Sequence, residues 1–440
     1  MSKKNLLMTI LCSIVMNTTG RLSAQDNVWN ISLEELFRIA DEHNTSIHSF
    51  ESAIQEAETG IKVANAERLP ELSAELSVSY LGNGRIMDRK FSNGTQVYIP
   101  HLGNNFALKA SWAVYTGGAI NAGIALAELK AGMAKASDHE NRLRVRFMLT
   151  GYYLQLHNLH NQEMIFNENI TLTETLIAHT QQRQAEGVVL RNDLTRYELQ
   201  LEQLRLGRTE VQHQQKIITR QLLTALGKNR DLTLVPSETF QTERLDSNAE
   251  LFWQEEAQQH APVLKKAELG IEMSKQKEKL EKSALLPDIA MVAEEHLDGP
   301  ITFEIPNIDK NFNYWFVGVG VKYNISSLYK NRHRVQQARV ATATAKQQYE
   351  MATETISDAI VAAHTEYQTA QCRWKTSKKT VELATQNYDV VHNRYQNGLS
   401  LVTDMVDAAN ERLSAQLSQV NAQIEMLYHY YQLKYLTGIL

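Results

Sequence analysis

The sequence predicts a mostly α-helical protein with a small β part, made of two similar halves. Proline and glycine are sparse and clustered, and the long stretches without them are rich in Ala, Glu, Gln, Leu, Arg and Lys. These residues are strong helix formers, so the stretches predict long helices. Short stretches in which every second residue is apolar predict strands. The third observation is that the order of these patterns in the first half returns in the second.

The duplication is clearest at two glycine turns. Each turn follows a long helical stretch, and its glycine can adopt the positive φ that ends a helix. The residues that follow the two glycines match at the same distances, and the matching positions lie 211 residues apart. The pairs are Gly187 and Gly398, Leu190 and Leu401, and Asp193 and Asp404. This period is far too long for a solenoid repeat and indicates one internal duplication.

The N-terminus has the pattern of a secretory signal. Lys3 and Lys4 precede an apolar run at 6–16, and residues 22–24 form a plausible small-residue cleavage site. We therefore expect residues 1–24 to be a signal peptide. The alternative is a buried N-terminal helix.

Composition excludes some functions for the chain that remains after residues 1–24 are removed. This mature chain would contain 42 basic and 50 acidic residues, a balance that argues against a nucleic-acid partner. Its single cysteine, Cys372, cannot form an intramolecular disulfide. No later segment approaches 18 consecutive apolar residues, so no transmembrane helix is predicted. An exported chain of this kind is either soluble or crosses a membrane as a β-barrel.

The first half begins with a helix followed by two strands. Residues 32–68 are predicted to be helical, because Ser32 and Glu35 can form a capping box and apolar residues follow at helical spacing. Residues 72–80 then alternate as a strand, with the length that a tilted membrane strand needs. A second strand is predicted at 106–114.

A polar strand face and two long helices complete the first half. Lys109 lies on the small, polar face of the second strand and suits the wet interior of a barrel better than a dry core. After Gly117 and Gly118, residues 119–186 contain no proline and predict a helix of roughly 100 Å. A further helix is predicted at 190–226.

The second half repeats this order. Residues 248–286 align with 32–69, strands are predicted at 288–297 and 315–325, and a long helix is predicted at 331–395. The predicted organisation is a signal peptide at 1–24, a first repeat at 25–227, a linker at 228–247, a second repeat at 248–440, and a membrane part at about 71–116 and 288–326.

The strands require more than one chain. Four strands cannot close a membrane barrel, which needs at least eight. Their edges also cannot remain open in lipid, where backbone groups would be unsatisfied. Two or three chains would supply eight or twelve strands, so the sequence predicts an oligomer and leaves its number open.

Aromatic residues accompany the predicted strands. Six of these rings suit an interfacial aromatic girdle, because amphipathic rings prefer the boundary between lipid and water. They are Trp112, Tyr115, Tyr314, Trp315, Tyr323 and Tyr329. The alternative is that these rings belong to the core of a soluble protein.

Taken in order, these features resemble the outer-membrane efflux protein (TolC) family of Gram-negative bacteria. The resemblance covers residues 29–438. It is carried by the strand entries Leu69-Pro70-Glu71-Leu72 and Leu286-Pro287-Asp288-Ile289, by the stretch 112–118, and by the two turns in which an aspartate follows the glycine six positions later. It implies a trimer with a 12-stranded β-barrel in the outer membrane and an α-helical barrel, formed by the long hairpins, that extends into the periplasm. It also implies docking of a periplasmic adaptor (membrane fusion) protein and an inner-membrane transporter of the RND or ABC type at the helix-turn tips, here Gly187, Gly398, Leu190 and Leu401.

The resemblance also implies a periplasmic gate at the turns. Asp404 and Asp407 match the acidic rings at the narrowest point, and three copies would favour cations. The alternative is that these acids only begin a helix, where negative charge is favourable. Tyr395 and Asp193 match a polar link that holds the gate shut. The basic partner of that link would fall at Ser400, which carries no charge, so Arg394 or Arg191 is another possible lock.

No catalytic or metal site is predicted. His157 and His160 are three residues apart, but no ligand set with zinc-site spacing accompanies them. We therefore predict no enzyme activity and no cofactor. The expected function is a passive trimeric outer-membrane conduit for small molecules, gated at its periplasmic tip and extending into the periplasm. The alternatives are the outer-membrane component of a type I protein-secretion system and, in another class, a periplasmic coiled-coil scaffold or adaptor.

Overall fold

The computed structural model describes residues 28–228, 232–238, 240 and 249–440. The predicted signal peptide and most of the predicted linker lie outside the described residues. The chain divides into two compact units, and each unit takes residues from both predicted repeats. Unit 1 comprises Met1–Thr45, Val145–Ser247 and Ala363–Gln432, and unit 2 comprises Ser46–Arg144, Asn248–Ala362 and Leu433–Leu440.

The described residues form helices and strands in the duplicated order that the sequence predicts. In chain order the elements are β1 (Val28–Ile31), α1 (Leu33–His43), α2 (Thr45–Ala66), β2 (Glu71–Tyr80), β3 (Gly84–Ile86), β4 (Thr95–Val97), β5 (Leu102–Thr116), α3 (Ala119–Ala185), α4 (Arg191–Ala225), β6 (Thr233–Pro236), α5 (Glu250–His260), α6 (Pro262–Ser283), β7 (Asp288–Gly299), β8 (Phe312–Lys322), α7 (Ser327–Gln396) and α8 (Val402–Thr437). The mostly helical fold class and the long helices α3 and α7 are confirmed. None of the described helices combines the length and the apolar character needed to cross a membrane.

The single helix predicted at 32–68 is wrong, because two helices occupy this stretch. Helix α1 ends at His43, the backbone of Asn44 is extended, and α2 begins at Thr45. The Asn44 side-chain amide donates a hydrogen bond to the Ala225 carbonyl at 2.8 Å, which holds the break in place. The second repeat has the same break, where Ala261 is extended before Pro262. A residue that precedes proline is driven out of the helical region by steric clash.

In unit 2, four strands form one antiparallel sheet in the order β2-β5-β7-β8. Leu72 pairs with Ala110, Ala110 with Ala293, and Ala293 with Val317. Side chains at paired positions share a face, so the register divides the sheet into two chemically different faces. Leu72 and Val317 lie on one face. Lys109 lies on the other, where its ammonium is 3.0 Å from the Glu75 carboxylate.

Unit 1 contains a parallel strand pair that the sequence analysis missed. β1 pairs with β6, with Ile31 opposite Pro236, and β6 lies inside the predicted linker. The Tyr153 hydroxyl donates to the Ile31 carbonyl at 3.1 Å and accepts a hydrogen bond from the Glu238 amide at 3.4 Å. The buried Tyr153 on α3 therefore bonds to β1 and to the segment that follows β6.

Both glycine turns form as predicted. Gly187 has φ of 76° and Gly398 has φ of 73°, the left-handed conformation. The amide after each glycine bonds back to the carbonyl five residues earlier, at 3.0 Å for Val188 and 2.8 Å for Leu399. This pattern satisfies carbonyls that the end of a helix leaves without partners.

Candidate functional sites at the helix turns and the sheet

The carboxylate of Asp404 caps the start of α8. It accepts hydrogen bonds from the Ser400 hydroxyl at 2.8 Å and from the Leu401 amide at 3.0 Å. These two bonds hold the pKa of Asp404 below its ordinary value, so the exposed side chain stays ionised. In the matching turn, Asp193 accepts a hydrogen bond from the Leu190 amide at 3.3 Å. The capping role that the sequence offered as an alternative is therefore present, and the pore ring of Asp404 and Asp407 stays a prediction.

Ser400 and Arg394 make contacts within their own turn. Ser400 is the donor to Asp404, and the Arg394 guanidinium lies 3.5 Å from the Leu399 carbonyl oxygen. Both contacts thus lie within the second turn itself. A locking role for Arg394 or Arg191 stays a prediction.

Tyr395 is buried between the helices that flank the turns. Its hydroxyl lies 3.5 Å from the Thr180 hydroxyl, and the Arg183 guanidinium lies 5.6 Å from its ring centre. Its ring meets the Tyr197 ring edge-on at 6.4 Å. The hydrogen bond predicted between Tyr395 and Asp193 stays a prediction.

The surrounding core joins both hairpins. Its buried members are Leu176, Tyr197, Tyr388, Tyr395, Val402, Met405, Ala408 and Ala409. Burial, and then the neighbouring Tyr395, raise the pKa of Tyr197 above its ordinary value. The Arg412 guanidinium lies 4.0 Å from the centre of the Tyr388 ring. Sequence reasoning missed these partners, although the seven-residue spacing of Tyr388 and Tyr395 would place both rings on one helix face.

Apolar side chains are exposed at the tips of both turns. Leu190 is 73% exposed and Leu401 is 70% exposed, and Val188 and Leu399 are exposed beside them. A pair of apolar tips at matching positions is a candidate docking surface.

The sheet exposes an apolar face. Its members include Leu72, Leu76, Trp112, Met291, Val317, Val319 and Val321, all of which are exposed in the chain. Of the predicted girdle residues, Trp112, Tyr115 and Trp315 lie on this face by register, and Tyr323 continues it beyond β8. The prediction is wrong for Tyr314, which neighbours Trp315 on β8 and therefore lies on the opposite face, and for Tyr329, which lies on helix α7 and not on a strand. They stand at several levels along the strands, since Trp112 is level with Val319 while Trp315 is level with Glu295. The Trp112 ring nitrogen donates to the Arg68 carbonyl at 2.9 Å.

The side chain of His157 connects parts of unit 1. The Nε2 atom of His157 is 3.1 Å from the Glu238 carbonyl oxygen, and its Nδ1 atom is 3.1 Å from the Asn161 amide nitrogen. Within the part of the chain that the structure describes, no three His, Cys, Asp or Glu side chains gather as a metal site.

These features together define a class of protein. Duplicated long-helix hairpins with apolar tips, joined to a small sheet with an exposed apolar face, are the parts of an outer-membrane channel subunit. The family model described as outer membrane efflux protein matches residues 36–228 and 253–439. The chain belongs to the outer membrane efflux protein family.

Solved structures share this fold at low sequence identity. The outer-membrane channel OprN matches with a TM-score of 0.77 and 18% identity, covering 92% of this chain and 89% of that chain. VceC from Vibrio cholerae matches with a TM-score of 0.74 and 16% identity over 92% of this chain and 96% of that chain. The open state of MtrE from Neisseria gonorrhoeae matches with a TM-score of 0.73 and 16% identity over 92% and 88% of the two chains. No curated protein matches the sequence.

Family membership fixes the general function and location. The protein is an outer-membrane channel of the tripartite efflux type, located in the outer membrane of a Gram-negative bacterium and extending into the periplasm. Its family and its structural neighbours are channel proteins and not enzymes. The family implies assembly as a trimer with periplasmic adaptors and inner-membrane pumps in general.

Proposed function

We propose that three copies of this chain form a passive conduit for small molecules, gated at the glycine turns. The observation that carries the proposal is the four-stranded sheet, which exposes an apolar face and ends in two edge strands, β2 and β8. Every neighbouring strand pair is antiparallel, so β8 of one copy and β2 of the next would also run antiparallel. Three sheets would then close a 12-stranded barrel without free edges.

The apolar face also weighs against the scaffold alternative. A periplasmic scaffold would leave this face in water, whereas a barrel buries it in lipid. A passive conduit catalyses no reaction, so the energy for transport comes from the inner-membrane partner.

We assign the adaptor-docking surface to the tips around Gly187 and Gly398. The exposed Leu190 and Leu401 support this assignment, because apolar side chains at a tip gain stability when a partner covers them. Leu190→Ser with Leu401→Ser is expected to weaken adaptor binding while the conductance stays unchanged. Adaptor binding at wild-type strength would refute the assignment.

We place the gate at Asp404 and Asp407, whose exposed carboxylates are one helical turn apart on α8. Three copies would form an acidic ring that favours cations and is blocked by divalent ions. Single-channel conductance in planar bilayers tests this proposal. The wild type is expected to show cation-selective openings that divalent ions block, and Asp407→Ala is expected to lose part of both properties.

The capping role of Asp404 calls for a matched pair of substitutions. Asp404→Asn removes the charge but keeps an oxygen that can accept the Ser400 and Leu401 hydrogen bonds, whereas Asp404→Ala removes both. Both variants are expected to lose cation selectivity. Only Asp404→Ala is expected to open the first turn of α8 more often, by roughly fivefold in amide hydrogen exchange. A channel whose selectivity survives in both variants would remove Asp404 from the pore.

A further inference from the structure

The polar face of the sheet carries a column of aromatic rings beside a column of ionisable groups. On β8, Phe312, Tyr314 and Phe316 point to this face, two residues apart. Each stands directly opposite an ionisable residue of β7: Phe312 opposite Asp298, Tyr314 opposite His296, and Phe316 opposite Glu294. We call these six residues the aromatic–acidic strip.

Three of the four rings in the strip stack on one another, and the three rings of β8 remain partly exposed. The His296 ring lies parallel to the Tyr314 ring, with centres 4.9 Å apart and 7° between their planes. Tyr314 in turn stacks on Phe312 at 5.3 Å. Phe312 is 46% exposed, Tyr314 is 37% exposed and Phe316 is 42% exposed. These side chains therefore do not form a buried core, and part of each of the three β8 rings is exposed to an incoming molecule.

The charges beside the rings are mainly negative. The Glu294 carboxylate lies 2.8 Å from the His296 Nε2 atom and accepts its hydrogen bond, and Asp298 accepts a hydrogen bond from the Asn105 side-chain amide. The nearest lysine on this face, Lys109, pairs with Glu294 in register, but its ammonium is 3.0 Å from the Glu75 carboxylate. Three carboxylates, those of Glu75, Glu294 and Asp298, thus lie on this part of the face with one lysine, so negative charge is left beside the rings.

There is open space next to the third ring. Gly318 and Gly320 follow Phe316 on the same face of β8. A Cβ atom added at Gly318 would meet no other atom within 4 Å. The surface of the sheet next to Phe316 therefore carries no side chains, so a flat or bulky group can lie there against the ring.

We propose that the aromatic–acidic strip is a transit-binding site for hydrophobic organic cations that carry aromatic rings. Aromatic faces attract cations through the ring quadrupole, and nearby carboxylates add attraction for the same charge while repelling anions. Exposed rings also offer apolar area to the rings of the ligand. The proposal rests on the proposed function, in which this face lines the barrel interior and three copies of the strip surround the path.

Three probes separate the parts of this recognition in planar-bilayer recordings. Tetraphenylphosphonium carries four rings and a positive charge, tetraphenylborate has the same shape and the opposite charge, and tetraethylammonium has the charge without the rings. Tetraphenylphosphonium is expected to block the wild-type current at the lowest concentration of the three. Equal block by tetraphenylphosphonium and tetraethylammonium would overturn the role of the rings.

Substitutions within the strip test its two columns. Phe316→Leu is expected to raise the blocking concentration of tetraphenylphosphonium by about two- to fivefold and to leave block by tetraethylammonium nearly unchanged. Glu294→Gln keeps the shape and a hydrogen-bond partner for His296 and is expected to weaken block by both cations. The matched controls are Phe303→Leu and Glu304→Gln, whose exposed residues lie in the loop between β7 and β8. If the probes block the Phe316→Leu and Glu294→Gln channels at the same concentrations as the wild-type channel, the proposal is overturned.

A second measurement separates this inference from the proposed function. Binding of a fluorescent aromatic cation to the detergent-solubilised protein is expected to weaken in Phe316→Leu and Glu294→Gln, whether or not the protein conducts. A protein that never conducts but shows this pattern would refute the conduit and leave the binding site standing. A protein that conducts but shows neither selective block nor selective binding would refute the site alone.

Discussion

At the scale of single residues, His157 joins the segment after β6 to helix α3. Its Nε2 atom faces the Glu238 carbonyl at 3.1 Å, so this nitrogen must donate. Its Nδ1 atom faces the Asn161 amide nitrogen at 3.1 Å, so this nitrogen must accept. The Phe240 ring lies edge-on at 5.2 Å. The two contacts require a neutral imidazole with its proton on Nε2.

Acid is therefore expected to weaken unit 1 through His157. Burial lowers the pKa of His157 from its ordinary value of about 6.5, and the neighbouring His160 adds to this effect. The unfolded chain binds the proton first as pH falls, so the stabilising contribution is present above about pH 6.5 and declines below it. The thermal midpoint of the wild type is expected to fall between pH 7 and pH 5 more steeply than that of His157→Gln.

The control for this prediction is His213→Gln. His213 is exposed on helix α4 in the same unit, so its replacement should leave the slope of the wild type unchanged. Parallel slopes for the wild type and His157→Gln would show that this histidine does not link stability to pH.

At the scale of helices and strands, the duplication extends to how the shorter helix of each hairpin ends. Gly227 after α4 and Gly438 after α8 both have positive φ, 62° and 82°. In each case a Cβ atom would meet the last residue of a short helix, at 3.2 Å from the His43 carbonyl oxygen and 2.5 Å from the His260 carbonyl oxygen. Gly227 thus ends α4 and allows close approach to the end of α1. Gly438 does the same for α8 and α5.

Gly438→Ala is expected to destabilise the protein more than Gly398→Ala does. Both substitutions place a side chain in the left-handed region, which costs about 1–2 kcal/mol. At Gly398 nothing lies within 4 Å of the added atom, whereas at Gly438 the backbone of His260 must move. Chemical denaturation measures the difference, with Gly187→Ala as a second unobstructed control. Equal losses at Gly398 and Gly438 would show that close approach to α5 contributes nothing.

Local patterns predicted most of these elements, and long-range pairing accounts for what they missed. The alternation at 72–80 and the glycines at 187 and 398 act locally, so the sequence alone indicates a strand and two turns. The β1–β6 pair joins residues about 200 positions apart along the chain, and neither short strand carries a pattern that indicates its partner. The break at Asn44 was missed because the residue that its side chain bonds to, Ala225, is also remote in sequence.

The candidate sites divide in the same way. Position at the start of α8 was enough to predict a capping role for Asp404. The packing of Tyr395 against Thr180 and Tyr197 depends on how three helices meet, which spacing within one helix cannot indicate. The assignment of one sheet face to apolar residues followed from alternation, whereas the pairing of Lys109 with Glu75 required the register.

At the scale of the whole molecule, the proposed function requires the two faces of the sheet to differ: one must suit lipid and the other must suit water. Val319 and Gly318 are neighbours on β8 and point to opposite faces. Val319 is level with Met291 and Trp112 on the exposed apolar face, and Gly318 is level with Val292 on the polar face. The proposed barrel therefore exposes Val319 to lipid and Gly318 to the aqueous path.

The same substitution at these two neighbouring positions is expected to have opposite consequences. Val319→Arg places a charge in lipid, which costs about 2–4 kcal/mol per copy near the midplane, so less protein should reach the outer membrane. Gly318→Arg has open space for its side chain and should insert normally, while the added charge shifts ion selectivity towards anions. Membrane fractionation and reversal potentials measure the two effects, with Val319→Leu as the control for a change of size. If both arginine variants insert equally well, Val319 does not face lipid, and the barrel closure proposed from the strand directions fails with it.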